Sequence, residues 1–90
     1  MRELYVGQCD QTDEKGGQHC FNYYILIDEI AYAGDLVCEN YGVKISVPGG
    51  ESASVPDVTL SAGRIEALAA LLLRNCVTPS TLRDVVEDWL

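Results

Sequence analysis

From Cys20 to Ile30 the chain reads CFNYYILIDEI, and apolar residues occupy both alternating sets. Phe21, Tyr23, Ile25 and Ile27 make one face, while Tyr24, Leu26 and Ile30 share the other with Asn22 and Asp28. Successive side chains of a strand point to opposite faces, and aromatic and β-branched residues suit a pleated surface. A strand apolar on both faces is a central one. The segment from Leu36 to Val47, entered through a turn at Gly34-Asp35, alternates more cleanly. Tyr41, Val43, Ile45 and Val47 face one way, with Asn40, Lys44 and Ser46 facing the other. Pro48-Gly49-Gly50 ends it. Upstream, Glu3 to Cys9 reads as a short strand, and the polar run Asp10 to Gly17 as an exposed hairpin loop. Ser52 to Leu60 adds a short edge strand, where Pro56 is tolerated because an edge residue can lack an N–H partner.

After Ser61 the period lengthens. Ser61 suits a helix N-cap, and Ile65, Leu68, Ala69 and Leu72 then recur at helical spacing up to a stop at Asn75. A second helix begins with Thr78 as cap and Pro79 at its first position. Leu82, Val85, Val86 and Trp89 form its apolar stripe, with Trp89 as a core anchor, and Arg83 can pair with Glu87 on the wet side. Strands first and helices last predict a single α+β domain over residues 1–90, mainly β over 1–60 and helical over 61–90. Its sheet is a three- or four-stranded antiparallel one, and the C-terminal helical hairpin covers one face.

That architecture leaves one face open. Tyr24, Leu26 and Ile30 are expected there as an apolar patch, suited to a homodimer or another protein partner, and the two unpaired edges of such a sheet invite strand addition. The competing arrangement lays residues 48–60 across the open face as a covering loop. Asp84, Glu87 and Asp88 form an acidic cluster on the last helix that would suit a basic partner.

Composition narrows the function classes. The chain has 90 residues, 48% of them hydrophobic, with 14 acids against 6 Lys and Arg for a net charge of −8. Such a surface repels phosphate backbones and anionic lipid, so direct nucleic-acid and membrane binding are not expected. An acidic inhibitor that mimics nucleic acid remains an alternative. No signal segment or membrane-length apolar run is evident, which places the protein in the cytoplasm.

The four cysteines, Cys9, Cys20, Cys38 and Cys76, form no Cys-x-x-Cys pair. An even count would suit two disulfides in an exported chain. In the cytoplasm they read as reduced thiols packed as small hydrophobes. Cys9, His19 and Cys20 flank the first loop, with Asp10 nearby, and offer an alternative metal or thiol site. His19 and Cys20 are strand neighbours, however, and point to opposite faces. No nucleophile elbow, zinc-protease motif or phosphate loop is present. The reading is therefore of a non-enzymatic interaction or regulatory module without metal or cofactor.

One resemblance adds to this. Tyr23-Tyr24-Ile25-Leu26, Tyr41-Gly42-Val43-Lys44-Ile45, Val55-Pro56-Asp57-Val58 and the ending Val77-Thr78-Pro79 to Leu90 resemble a family of short uncharacterised proteins from Gram-positive anaerobic bacteria. The likeness spans roughly residues 20–90 and implies a bacterial, cytoplasmic protein with no site residues assigned.

Overall fold

Four strands pair in the order in which they leave the chain, β1-β2-β3-β4, and every pairing is antiparallel. They are β1 (Arg2–Thr12), β2 (Gln18–Ala31), β3 (Val37–Ser46) and β4 (Ser52–Thr59), followed by helix α1 (Ala62–Arg74) and helix α2 (Leu82–Trp89). The computed structural model describes residues 1–31 and 37–90; the turn expected at Gly34-Asp35 and the start of β3 at Leu36 lie outside them.

The first hairpin is tighter than its polar sequence suggests. Its strands run to Thr12 and from Gln18, which leaves residues 13–17 as the turn. Asp13 organises it, its Oδ1 accepting from the backbone N–H of Lys15 at 2.9 Å and of Gly17 at 2.7 Å. A short polar side chain that bonds its own backbone competes well with a loose loop. The segment after Pro48-Gly49-Gly50 joins the sheet as edge strand β4 and does not cross the open face as a loop; only its bulge at residues 55–57 leans over that face.

Both helices pack on one face. Helix α1 lies over β1, β2 and β3, and α2 over β4. Ser61 caps α1 as expected, its Oγ accepting from Arg64 N–H at 3.3 Å. The core between helices and sheet includes Tyr23, Ile25, Val43, Ile45, Ile65, Leu68, Leu72, Leu82 and Val86. Burying an aliphatic side chain of this size stabilises by about 1.5–3 kcal/mol, so this layer carries the fold. Tyr23 is 1% exposed, and its hydroxyl donates to the Val77 carbonyl at 2.8 Å.

Two helix details differ from the sequence reading. Pro79–Thr81 forms a separate 3-10 turn, and the Thr78 side chain makes no capping bond; its hydroxyl meets that of Thr81 at 2.9 Å. Trp89 packs at the margin of the core and stays half-exposed, with the Arg64 guanidinium 4.6 Å from its ring centroid.

Helix α1 ends in a Schellman motif. Val77 N–H donates to Leu72 O at 3.1 Å and Cys76 N–H to Leu73 O at 3.2 Å. The residue after the cap must then be left-handed, a place usually given to glycine. Here it is Cys76, at φ +47°.

Candidate functional site

Two regions hold the residues singled out from the sequence. The first is the open face of the sheet. Cross-strand pairing puts Glu3 and Tyr5 of β1 beside Leu26 and Tyr24 of β2, and Gly42 and Lys44 of β3 on their other side. The expected apolar patch is not laid bare. Leu26 is 4% exposed, and Tyr24 and Ile30 are half-buried.

Four contacts account for that cover. Lys44 Nζ reaches Glu3 Oε2 at 2.9 Å, so an ion pair between β1 and β3 crosses β2. The same Nζ lies 5.6 Å from the Tyr24 ring centroid, and Tyr5 meets Tyr24 edge-on at 5.5 Å. The fourth contact is backbone. The β3–β4 register shifts between Tyr41 and Val43, and a Cβ built on Gly42 would lie 2.5 Å from Val55 O and 2.7 Å from Pro56 Cα. The bulged β4 thus folds over Gly42 beside Leu26, with Asp57 at φ +58° accepting from the Asn40 side-chain amide. A bulge bends its strand, and here the bend closes part of the face that the helices do not reach.

The second region lies on the helix side, at the first hairpin. Gln11, His19, Phe21 and Val47 floor a cavity of about 420 Å³, walled by Thr78, Pro79 and Ser80 and rimmed by Gly50 and Glu51. His19 Nε2 lies 3.1 Å from Asp13 Oδ2. That bond, with those from the Gly17 and Lys15 N–H groups, holds the Asp13 carboxyl below its usual range.

The cysteines do not gather as a ligand set. Cys9 shares the helix-facing side with Phe21 and is joined to Cys76 in a disulfide, with Cα atoms 5.8 Å apart. The expectation of four reduced thiols is corrected for these two; Cys20 and Cys38 are free. Cys20 pairs with Asp10 on the opposite face. Burial first, then Asp10, pushes its thiol above the ordinary value, which disfavours thiolate chemistry there. The alternative centre of Cys9, His19 and Cys20 is therefore not assembled, and among the described residues no group of three or more His, Cys, Asp or Glu could hold a metal ion. Asp84, Glu87 and Asp88 are exposed on α2.

The sequence model of a family of unknown function, DUF6514, matches residues 2–90. The chain belongs to this family. DUF6514 thus covers β1 and the first hairpin as well as the later segments that carried the resemblance. No curated protein and no solved structure matches the chain. DUF6514 membership brings no activity and no site residues, so both regions are read from their own geometry. Among the described residues no helix is long and apolar enough to cross a membrane. The cytoplasmic expectation loses one support in this DUF6514 chain, because disulfides are rare in reducing compartments.

Sequence reasoning missed the Cys9–Cys76 pair and the cavity beside it. A signal was present. Cys9 falls on the same strand face as the core residue Phe21, and Cys76 follows the helix stop Asn75, where glycine is usual.

Proposed function

We propose that the protein is a protein–protein interaction module, not an enzyme, and that it adds a partner strand along β1. One observation carries this reading, the difference between the two sheet edges. Strand β4 closes its own edge with Pro56, which offers no N–H, and with the left-handed Asp57 in the bulge. Prolines and bulges are how natural sheets block strand addition. Strand β1 has no proline, and Met1, Leu4 and Tyr5 at its start are 72%, 54% and 54% exposed. β1 carries a register shift of its own, between Tyr5 and Gly7, but no proline interrupts the strand on either side of it. Backbone hydrogen bonds from an added strand supply affinity, and the flanking apolar side chains supply selectivity.

A second copy of the chain is the favoured partner, since symmetric pairs are the commonest assemblies. With Leu26 already covered on the open face, the sheet edge is the better-supported of the expected contact surfaces. Light scattering at micromolar concentration tests it. A dimer is expected, lost in Leu4→Lys and kept in Thr59→Lys on the opposite edge. A monomeric wild type whose cross-linked partners are unchanged by Leu4→Lys overturns the reading.

A further inference from the structure

We infer that Cys9 and Cys76 form a reversible dithiol–disulfide couple, opened by a low-molecular-weight thiol, that sets how firmly the wall of the hairpin cavity is held to β1. Four observations lead to it.

The first is the residue at the left-handed position. Cys76 occupies φ +47° in a Schellman motif, a conformation that L side chains rarely adopt and that glycine usually supplies. A residue kept there against its backbone preference has a reason in its side chain. Its Cα lies 5.8 Å from that of Cys9, within the separation that a disulfide spans.

The second is position. Cys9 stands two residues before Gln11 on the same face of β1, and Cys76 two residues before Thr78. Gln11 is floor and Thr78 is wall of the same cavity. The bond therefore clasps floor to wall.

The third is that the fold around the bond has anchors of its own. The Tyr23 hydroxyl holds Val77 O at 2.8 Å, and Val77 N–H holds Leu72 O at 3.1 Å. Leu82 and Val86 anchor α2 at 0% and 1% exposure. Both redox forms are therefore expected to stay folded, as a switch requires and a staple does not.

The fourth is access. Cys9 and Cys76 are each half-buried, so a small thiolate can reach the bond. Its attack on one sulfur gives a mixed disulfide and a protein thiolate, which takes a proton. A second thiolate releases the small disulfide. In sum, one protein disulfide and two thiols give two protein thiols and one oxidised small molecule, and the reverse runs on the low-molecular-weight disulfide. Opening loosens residues 76–81, held then by the Val77 bonds and the α2 anchors alone, and with them the Thr78–Ser80 wall, while the sheet stays intact.

The test uses the full chain in dithiothreitol redox buffers, with thiols counted by alkylation and mass and backbone order read by hydrogen exchange. Reduction is expected to raise alkylated thiols from the pair Cys20 and Cys38 to all four. Protection at residues 76–81 should fall at least tenfold while that of β2 and β3 holds. Cys76→Gly, which suits the left-handed position and lacks the thiol, should show the low protection in either buffer and remain folded. Four reactive thiols in the oxidised folded chain, loss of β2 and β3 protection on reduction, or equal protection of 76–81 in both buffers would each overturn the inference.

Discussion

The two faces of this sheet are closed by different means. Beneath the helices the cover is supplied by apolar volume. Val43, Ile45, Leu68 and Leu82 are fully buried within one cluster of hydrophobic side chains. On the open face the cover is supplied by single devices. One ion pair, a tyrosine pair and a folded-over stretch of backbone hide Leu26 without any second layer. A packed layer spreads its stability over many residues, and loss of one leaves the rest. A face closed by a few contacts concentrates the consequences on those few, and the comparison can be broken at each of them.

The largest effect is expected at Gly42. An alanine Cβ there meets backbone atoms, Val55 O at 2.5 Å and Pro56 Cα at 2.7 Å, which cannot rotate aside as a side chain would. Gly42→Ala should cost about 3 kcal/mol, the upper part of the range for overpacking. It should also raise hydrogen exchange at residues 55–59 ahead of β2. A chemical-denaturation midpoint close to wild type would show that the bulge is loose and that the open face is closed by side chains alone.

On the covered face the sharpest test is polar. Burial pushes the Tyr23 hydroxyl from its ordinary value of 10 up to about 12. The neutral form is the one held in the folded state, so its contribution is complete below the unfolded value and is lost as pH rises through the folded one. Stability should fall between these two values, by roughly 2–3 kcal/mol in all. Tyr23→Phe removes this alkaline loss and weakens the chain at neutral pH by about 1 kcal/mol through the lost bond to Val77. Denaturation midpoints followed against tyrosinate absorbance check both. A Tyr23→Phe chain with the wild-type alkaline profile would mean that this hydroxyl is not the covered face's polar tether.

This difference between the faces also explains what the sequence made legible. The covered face is written in periodicity. Phe21, Tyr23, Ile25, Val43 and Ile45 alternate, and Ile65, Leu68, Ala69 and Leu72 recur at helical spacing, because burial under a second layer demands a continuous apolar set. The open face is not written that way. Leu26 stands among Asn22, Tyr24 and Asp28, so the strand reads as two-sided and Leu26 as exposed. What buries it is a bulge in another strand and an ion pair between residues 41 positions apart, neither of which has a local pattern. The disulfide escaped for the same reason, as Cys9 and Cys76 are separated by 67 positions and meet only once α1 is docked.

The smallest expected effect decides what the Glu3–Lys44 pair contributes. Both side chains are partly exposed, at 44% and 27%, so their attraction is screened by water and salt. Pairs of this kind stabilise by about 1 kcal/mol at most. Glu3 has a second role, however, since it stands directly across from Leu26, and its aliphatic stem can shield that residue whatever its charge. Two substitutions separate the roles. Glu3→Gln keeps the stem and removes the charge; it should lower the urea midpoint slightly at low ionic strength and not at all in strong salt. Glu3→Ala removes both and should keep a salt-independent remainder of roughly 0.5 kcal/mol from the apolar area it uncovers. If the two variants fall by the same amount and both losses vanish with salt, charge alone closes this part of the face. If both losses persist in salt, the ion pair is incidental and the open face, like the covered one, is held by packing.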